Sequence, residues 1–331
     1  QKTAYEIPLR LVGSEMCIRD SGGSGLSRLD STLVFEALAM ACPSVSSFIS
    51  IHNMCAWMIS QYGNQHVKEK FLHPMIRMDR ICSYCLTEPD SGSDSAALST
   101  KAERTNEGFK VNGTKSFISG GAFSEIYLTM VRTGENGPHG ISALLVEKNT
   151  PGLSFGNNEE KMGWKSQPTA QVIFDDCHVS SKKLLGEENK GFIYAMQGLD
   201  GGRLNIAAAA LGGAQTALNI AKKYIKVGDI FQVVLSQRFE RKFEKQPLEI
   251  YNELRKLNPS PFMFYFNFED FKILGSSPEI LVRLRNNKVT IRPIAGTRPR
   301  GKNKVQDLKF KKDLLKDKKE LAEHLMLLDL G

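Results

Sequence analysis

The pattern of the sequence changes abruptly near Ala221, and no linker separates the two patterns. Residues 1–221 contain 20 Lys and Arg against 22 Asp and Glu, whereas residues 222–331 contain 24 against 14. Natural multidomain chains usually connect whole domains through flexible Gly-, Ser- or Pro-rich segments. The uninterrupted stretch ALNIAKKYIKVGDIF at the change therefore favours two unrelated pieces joined artificially, with a natural fusion as the alternative.

The first pattern predicts a helical region followed by a β domain. Residues 25–79 carry apolar residues at helical spacing, whereas residues 80–185 contain short alternating apolar runs punctuated by Gly, Asn and Pro. Residues 186–225 predict one long helix, interrupted or bent near Gly201 and Gly202.

The second pattern, residues 226–331, predicts an α+β segment rich in hairpins. Its predicted elements are a strand (FQVVLSQRFE), a helix (PLEIYNELRKL), three strands (FMFYFNF, PEILVRLR and KVTIRPIAG) and a helix from about Asp307 to the end. The lysine-rich run KFKKDLLKDKKELAEH favours the solvated face of an amphipathic helix. A specific partner for this basic face, or attraction of anionic substrates, are the alternatives.

Composition argues against several classes of protein. No apolar run approaches the length of a membrane span, and the charge of +8 follows neither one face nor an RNA-binding motif, so we expect no membrane and no nucleic-acid partner. Six cysteines without a disulfide framework fit a reducing compartment. Cys82 and Cys85 form a C-x-x-C without a second pair, which favours a buried strand over zinc or redox chemistry.

The N-terminal residues are expected to be unstructured. Residues 1–24 show no persistent periodicity, and their LVGSEMCIRDS resembles a translated sequencing adaptor. They also lack the Arg- and Ser-rich, acid-poor composition of a transit peptide. No targeting segment is therefore predicted, and we expect a cytoplasmic protein, or one of the mitochondrial matrix if the source is eukaryotic.

Ordered motifs in the first pattern resemble the acyl-CoA dehydrogenase family over about residues 25–221. They are SYCLTEPDSGSD, VNGTKSFISGG, KMGWKSQPTAQVIFDDCHV and GLDGGRLNIAAAALGGAQTAL. Together with GLSRLDSTLVFEAL and ISIHNMCAWMI, they are most similar to the branch that oxidises isobutyryl-CoA in valine breakdown. The resemblance implies a partial α-helical domain and a β-barrel middle domain, bound FAD, an acyl-CoA substrate, and homotetrameric relatives.

The same resemblance assigns roles to individual residues. The implied flavin contacts are Tyr84, Cys85, Leu86, Thr87, Gly92, Ser93, Phe117, Ile118 and Ser119. The implied acyl-CoA contacts are Ser93, Asp200, Gly201, Gly202 and Arg203. In the family an aromatic residue at the position of Phe117 packs on the flavin, and the hydroxyl of Ser119 sits close to the nitrogen that accepts hydride.

The dehydrogenation needs a base that removes the α-proton of the thioester while a flavin accepts the β-hydride. The family's catalytic glutamate lies in a C-terminal helical domain that we do not find in this sequence. Glu88 is not a substitute, because a locally hydrogen-bonded turn carboxylate is an equally good interpretation of it. No residue is therefore assigned as catalytic, and we expect an inactive dehydrogenase-like portion.

The second pattern resembles the chorismate-binding large subunit of anthranilate synthase over about residues 218–331. The motifs are GDIFQVVLSQRF, LNPSPFMFYF, LGSSPEILVR, IRPIAGTRPRG and KDKKELAEHLMLLDLG. The resemblance implies chorismate contacts at Gly296 and Thr297, Mg²⁺ ligands at Glu320 and Glu323, and a tryptophan feedback site at Pro261, Phe262 and Met263. Such relatives pair with a glutamine amidotransferase subunit.

Three functions remain open from the sequence. The first is an FAD-dependent acyl-CoA dehydrogenase-like fragment, and the second is a fragment of the enzyme that converts chorismate to anthranilate in tryptophan biosynthesis. Surface ion pairs on a lysine-rich helix are the alternative to metal ligation by the two glutamates. The third function is a non-enzymatic binding or scaffold protein made of the retained domains.

Overall fold

The computed structural model describes residues 26–234, 236, 238–280 and 282–330. The chain divides into two compact units, one ending at Val227 and the other beginning at Gly228. We call these the N-terminal unit and the C-terminal unit. The predicted adaptor-like segment, residues 1–24, lies outside the described residues.

The N-terminal unit begins with helices. Helix α1 spans Arg28–Ala41 and is capped by Ser27, whose hydroxyl accepts from the Asp30 amide in a reciprocal capping box. Helix α2 spans Pro43–Tyr62, with proline in the first turn, where its missing amide hydrogen is not needed. A third helical stretch follows in pieces: α3 Gln65–Val67, a π-helical turn Lys68–Leu72 and α4 His73–Ile76.

An eight-stranded sheet follows the helices. Its strands are β1 Cys82–Cys85, β2 Lys101–Arg104, β3 Gly108–Ser119, β4 Ile126–Arg132, β5 Ile141–Glu147, β6 Leu153–Phe155, β7 Thr169–Ser180 and β8 Leu184–Leu185. The order is β6-β7-β3-β2-β4-β5-β8, and β1 pairs with β4 in parallel. Most other pairs are antiparallel, as the short alternating runs predicted.

The sheet is buried on both faces at β4 and β5. Leu128 and Met130 contact a core shared with the helices, whereas Tyr127 and Val131 contact a second core within the β domain. Successive side chains of a strand point to opposite faces, so a strand between two cores carries apolar residues on both faces. The prediction of a buried strand at the C-x-x-C is also confirmed, since β1 contains both cysteines and both are buried.

The long helix α5 spans Gly191–Lys226 without interruption, so the predicted interruption near Gly201 and Gly202 is wrong, while a bend there stays a prediction. Its glycines permit close packing instead. A Cβ atom on Gly201 would lie 2.1 Å from the guanidinium of Arg28, and one on Gly212 would lie 2.1 Å from the backbone oxygen of Glu36. The helix can therefore approach α1 closely, and the contacts with α1 and α2 hold its axis.

The C-terminal unit contains small helices and hairpins. Its elements are α6 Pro247–Leu257, β9 Phe262–Asn267, β10 Lys272–Ser277, β11 Arg283–Arg285, β12 Lys288–Thr290, α7 Lys304–Leu314 and α8 Lys318–Leu330. Strand β9 pairs with β10 and β11 with β12, both antiparallel. The predicted strand FQVVLSQRFE is wrong for its described residues, which belong to no strand.

None of the described residues of the C-terminal unit is buried. Large apolar side chains are exposed along its whole length, including Phe231, Phe239, Leu257 and Leu284. None of the described apolar side chains of FQVVLSQRFE is buried, so burial does not offset the cost of ordering this backbone as a strand. Among the described helices of both units, none combines the length and apolarity that a membrane crossing requires.

Candidate flavin and acyl-CoA cleft

A cleft of about 410 Å³ opens in the N-terminal unit between the sheet and helices α2 and α5. Eight residues that the sequence assigned to flavin or acyl-CoA line it: Tyr84, Leu86, Thr87, Phe117, Ile118, Ser119, Gly202 and Arg203. They come from three separate stretches of the chain, and the fold brings them to one surface. The wall is mainly apolar, with hydroxyl groups at Thr87 and Ser119 and a cationic side chain at Arg203.

Phe117 lies in the cleft because the edge of the sheet is irregular there. The pairing of β3 with β7 shifts register between Lys115 and Ile118, and Phe117 adopts a left-handed backbone with φ of 57°. A phenylalanine in this region is strained, and such strain is typical of binding and active sites. Its side chain is 66% exposed, so burial in the described chain does not hold it there.

Ser119 is fixed from two sides. Its backbone oxygen accepts a 2.5 Å hydrogen bond from the Ser83 hydroxyl, and its own hydroxyl accepts from the Gln167 side-chain amide. The following residue, Gly120, has a φ of 81°, and a Cβ atom there would lie 2.4 Å from Ser124 Oγ. Only glycine fits this turn, which allows β3 to end beside β1.

The turn that carries Thr87 rests on a buried ion pair. Lys115 Nζ lies 2.7 Å from Glu88 Oε1 and also donates to the Leu86 carbonyl at 3.1 Å. Glu88 accepts three more hydrogen bonds, from the amide and hydroxyl of Ser99 and from the Thr100 amide.

Burial alone would raise the pKa of Glu88, but the charge and hydrogen bonds of Lys115, with those of Thr100 and Ser99, lower it to about 2. An ionised carboxylate with every oxygen engaged has little basicity to offer a substrate. This geometry agrees with the prediction that Glu88 is a locally bonded turn residue and no substitute for the missing base.

Five of the assigned residues do not line the cleft. Cys85 points into the core of the β domain, where burial raises its pKa to about 12. Gly92 and Ser93 are exposed on the turn beyond Glu88. Asp200 is exposed and lies 3.5 Å from Arg203. Gly201 faces Arg28 of α1. The described chain therefore tests neither their flavin nor their acyl-CoA roles.

Other residues of the lining were not predicted. They lie on α2 and α5: Ser50, Ile51, Met54, Leu199 and Ile206. In the sequence they are ordinary members of amphipathic helices, and only the packing of those helices against β1 and β3 turns them to the cleft. In the sequence, the one signal for any of them is helical spacing. Leu199 and Ile206 lie three and four residues from Gly202, so they share its helix face.

The cleft fits the isoalloxazine part of a flavin. A planar, mostly apolar ring needs an aromatic or aliphatic wall and a few fixed polar groups. Tyr84, Phe117 and Ile118 supply the wall, and the Thr87 and Ser119 hydroxyls supply donors. Near the cleft, Tyr84 OH and Gln167 Oε1 are buried without a hydrogen-bond partner among the described residues. Buried polar atoms of this kind are rare in complete sites.

Of the residues assigned to the chorismate and metal sites, Gly296, Thr297 and Glu320 lie near one another in the C-terminal unit. A Cβ atom on Gly296, whose φ is 71°, would lie 2.7 Å from Glu320 Oε2. Thr297 is exposed, and its carbonyl accepts from Arg298. Glu323 accepts from Gln232 at 3.4 Å. Pro261, Phe262 and Met263 form the entry to β9, where Phe262 is 42% exposed.

The described residues do not offer Mg²⁺ a complete set of ligands. Arg298 lies 3.7 Å from Glu320 and also binds Asp313 and Asp317, so the carboxylate is already paired. No group of three or more His, Cys, Asp or Glu in the described chain is arranged to hold a metal. Mg²⁺ prefers six oxygen ligands in an octahedron. The implied Mg²⁺ therefore does not fit this arrangement.

Comparisons with known proteins assign the two patterns to two families. Residues 15–79 match the acyl-CoA dehydrogenase N-terminal domain and residues 83–177 its middle domain, whereas residues 215–331 match the chorismate binding enzymes. The isobutyryl-CoA dehydrogenases of Dictyostelium discoideum and Bos taurus are 57% and 51% identical over 63% of this chain, and the match covers 50% of each.

The C-terminal part and the fold have relatives of their own. Anthranilate synthase component 1 of Cereibacter sphaeroides is 61% identical over 36% of this chain and 24% of its own length. The structure of butyryl-CoA dehydrogenase from Megasphaera elsdenii superposes with a TM-score of 0.64 at 36% identity, covering 71% of this chain and 61% of that chain.

The chain thus spans about half the length of the dehydrogenases that it matches and a quarter of the synthase. The synthase-like match begins inside α5, a helix that starts in the dehydrogenase-like part. The chain is therefore a chimera, in which N-terminal and middle domains of the acyl-CoA dehydrogenase family are followed by a portion of a chorismate-binding enzyme.

Proposed function

We propose that the N-terminal unit is the flavin- and acyl-CoA-facing wall of a dehydrogenase for short branched acyl-CoA thioesters such as isobutyryl-CoA. The observation that carries this proposal is the single cleft that gathers eight of the assigned residues. Support also comes from the similarity to two isobutyryl-CoA dehydrogenases. The whole protein would then serve valine breakdown, as those relatives' substrate suggests.

The residues of the cleft have separate tasks in this proposal. The side chains of Tyr84, Leu86 and Phe117 exclude water from the ring of FAD, and the Thr87 and Ser119 hydroxyls donate to its polar edge. Arg203 is exposed at the cleft and supplies a positive charge for the phosphates of coenzyme A. When bound, FAD supplies the hydride acceptor for the reaction.

We also propose that this chain does not complete the dehydrogenation. None of the described residues that line the cleft is Asp, Glu or His, so no lining side chain is suited to remove the α-proton. Glu88 stays bound to Lys115 behind the wall. FAD binding is expected to be weak, since one wall of a flavin site contributes part of the contacts of a complete one.

The experiment is a flavin titration combined with a dye-reduction assay on the purified full chain. We expect quenching of FAD fluorescence at high protein concentration and no isobutyryl-CoA-dependent dye reduction above buffer. The complete isobutyryl-CoA dehydrogenase of Dictyostelium discoideum serves as the positive control. Stoichiometric FAD after gel filtration, or turnover of isobutyryl-CoA, would contradict the weak-binding and inactive parts of the proposal.

Two variants locate the flavin response. Ser119→Ala removes a hydroxyl of the lining. It should raise the dissociation constant for FAD, measured by quenching, about fivefold, which corresponds to one net hydrogen bond of about 1 kcal/mol. Ser142→Ala is the matched control, because Ser142 is also a strand serine but binds Thr133 and Asn189 away from the lining. Equal effects of both variants would argue that the quenching arises outside the cleft.

A second candidate function rests on the C-terminal unit. We propose that it derives from an enzyme that converts chorismate to anthranilate, because Gly296 and Glu320, assigned to chorismate and metal, lie against each other. Its test is formation of fluorescent anthranilate from chorismate, ammonia and Mg²⁺. We expect no anthranilate to form, because none of the described residues of this unit is buried. Measurable anthranilate would show that the unit is functional.

A further inference from the structure

A buried glutamine lies directly behind the cleft. Gln167 is 3% exposed, does not line the cleft, and donates from its side-chain amide to the hydroxyl of Ser119, which does. The two residues are 48 positions apart in the sequence. The contact therefore belongs to the folded unit and not to a local turn.

The backbone around Gln167 is anchored at several points. The backbone amide of Gln167 donates to the Trp164 carbonyl at 3.1 Å, and its backbone carbonyl accepts from the Lys161 ammonium group. That ammonium group also donates to Thr169 Oγ1 at 2.8 Å. The next carbonyl, of Pro168, accepts from the Gly120 amide at 2.7 Å. Gln167 is thus held in place beside the end of β3 independently of its side chain.

The hydrogen bond decides how the Ser119 hydroxyl can act. A serine hydroxyl carries one donor hydrogen and two acceptor lone pairs. With one lone pair taken by the Gln167 amide, the hydrogen stays available for an acceptor elsewhere. Ser119 lines the cleft, so the open direction for that hydrogen is toward a bound group.

The side-chain oxygen of Gln167 argues against a purely structural role. It is buried and has no hydrogen-bond partner among the described residues. An unpaired buried carbonyl is costly, and an apolar residue of similar shape would avoid that cost. Stability alone therefore gives no reason for an amide at this position, whereas orientation of Ser119 does.

We propose that Gln167 is a positioning residue that holds the Ser119 hydroxyl as a hydrogen-bond donor into the cleft. This proposal rests on the proposed flavin function for the identity of the ligand. The pairing itself does not depend on that function. Gln167 reaches the ligand only through Ser119.

Three variants test the proposal: Gln167→Met keeps the length but removes the amide, Gln167→Glu replaces the donor with an acceptor, and Ser119→Ala removes the hydroxyl. The carboxylate of Gln167→Glu would draw the serine hydrogen away from the cleft. With FAD as the probe, we expect both Gln167 variants to raise the dissociation constant measured by fluorescence quenching about fivefold, as Ser119→Ala does. This change corresponds to the loss of one net hydrogen bond. The double variant Gln167→Met/Ser119→Ala should be no weaker than Ser119→Ala alone.

The control is Gln215→Met, because Gln215 is exposed on α5 and binds only Asn219 among the described contacts. It should leave the quenching unchanged. If Gln167→Met and Gln167→Glu bind FAD like the wild type while Ser119→Ala does not, the proposal is overturned. If the Gln167 and Ser119 effects add fully, the two side chains act independently and the proposal is likewise overturned.

A ligand-free measurement separates this proposal from the flavin function. Urea unfolding of the wild type, Gln167→Met, Ser119→Ala and the double variant gives a double-mutant cycle for the pair. A non-additive pair supports the positioning contact even if the wild-type chain binds no FAD, an outcome that would reject the proposed function alone. An additive pair in urea overturns the contact whatever FAD does.

Discussion

Lys115 Nζ lies 2.7 Å from Glu88 Oε1, and both side chains are withdrawn from solvent. The pair joins β3 to the turn that carries Thr87, while the Ser116 amide donates to the Thr87 carbonyl at 2.8 Å. Two charges in the interior are costly unless their hydrogen bonds are complete. Here Glu88 has four donors, so the wall of the cleft depends on this pair.

The first prediction concerns the removal of one partner. Lys115→Met should lower the free energy of unfolding by about 3–5 kcal/mol, because it leaves a buried carboxylate without its counter-ion. Lys115→Met/Glu88→Leu should recover part of that loss, since no charge remains in the interior. Urea unfolding followed by circular dichroism measures both.

The matched control is Lys101→Met, which breaks the exposed ion pair with Glu103. An exposed pair contributes roughly 0–1 kcal/mol, so little change is expected. If Lys115→Met proves as mild as Lys101→Met, the buried pair does not hold the turn.

His52 gives the second prediction, on pH. It is buried; the Cys82 amide donates to its Nδ1, and its Nε2 lies 3.2 Å from the Met75 carbonyl. Burial lowers its pKa from 6.5 to about 4, against a smaller opposite effect of the Met75 carbonyl. Below pH 6.5 the unfolded chain binds a proton that the folded chain does not, so stability falls as pH falls.

We expect the free energy of unfolding to drop by about 2 kcal/mol between pH 6.5 and 4.5, because the slope approaches about 1.36 kcal/mol per pH unit only once the unfolded histidine is mostly protonated. The buried or paired carboxylates of Glu88 and Glu147 have pKa values lowered from 4.5 to about 2, so they contribute below this window. His52→Asn, which keeps an acceptor for the Cys82 amide, should flatten the profile. A wild-type profile that is already flat would contradict the assignment.

Phe117 carries the third prediction. A left-handed backbone costs a non-glycine residue roughly 1–2 kcal/mol of stability, and glycine relieves that cost. Glycine itself costs roughly 0.5–1 kcal/mol, because it loses more backbone entropy on folding. Phe117→Gly should therefore leave stability unchanged or raise it slightly, although it removes a large side chain. FAD quenching should weaken, because the aromatic wall is lost.

Phe123→Gly is the matched control for that variant. Phe123 is 51% exposed, stacks edge-on against Phe48, and has a backbone outside the left-handed region. Glycine there should destabilise the protein by about 1 kcal/mol. Thermal unfolding of both variants gives the comparison, and a strong loss of stability in Phe117→Gly would show that its conformation is not strained.

The sequence predicts the β domain well because its signal is local. Alternating apolar residues within β4 and β5, and glycine turns between strands, indicate the strands without knowledge of their partners. The assigned residues Tyr84, Thr87 and Phe117 follow from motifs that are also contiguous. The structure then places all three in one cleft.

The contacts that hold the residues of the cleft in place are not local, so the sequence could not reveal them. Gln167 and Ser119 are 48 residues apart, and Lys115 and Glu88 are 27 apart. Each pair meets because separate strands and turns pack together. The strain at Phe117 likewise depends on a register shift between two strands. Only the packed structure specifies such relationships.

Arg298 leads to the fourth prediction. It binds Asp313 and Asp317 at 2.7 Å each and lies 3.7 Å from Glu320, which the family resemblance assigned to Mg²⁺. A cation at Glu320 must therefore compete with the guanidinium. Arg298→Ala should tighten Mg²⁺ binding by on the order of tenfold, the Coulomb effect of removing one nearby positive charge in water.

Isothermal titration with Mg²⁺ measures the change. Arg300→Ala is the control, because Arg300 is 91% exposed and pairs with Asp307 instead. Tight Mg²⁺ binding by the wild-type chain, or no gain in Arg298→Ala, would show that Arg298 does not compete for this site.

The last prediction concerns limited proteolysis of the full chain. Residues 229–246 contain four basic residues, Arg238, Arg241, Lys242 and Lys245, all exposed, and none of its described residues belongs to a helix or strand. Exposed backbone without hydrogen-bonded structure is cut first. We therefore expect trypsin to cleave there, and then to degrade the C-terminal unit, which has no buried residue among those described.

The resistant product should extend beyond the β domain, because α5 packs against α1 and α2 and its small residues Ala208 and Ala209 are buried. Mass spectrometry should find it ending at Lys226 or Arg238. Survival of residues 228–331 as a resistant unit would mean that this half has a core of its own. That result would favour a natural fusion over an artificial join.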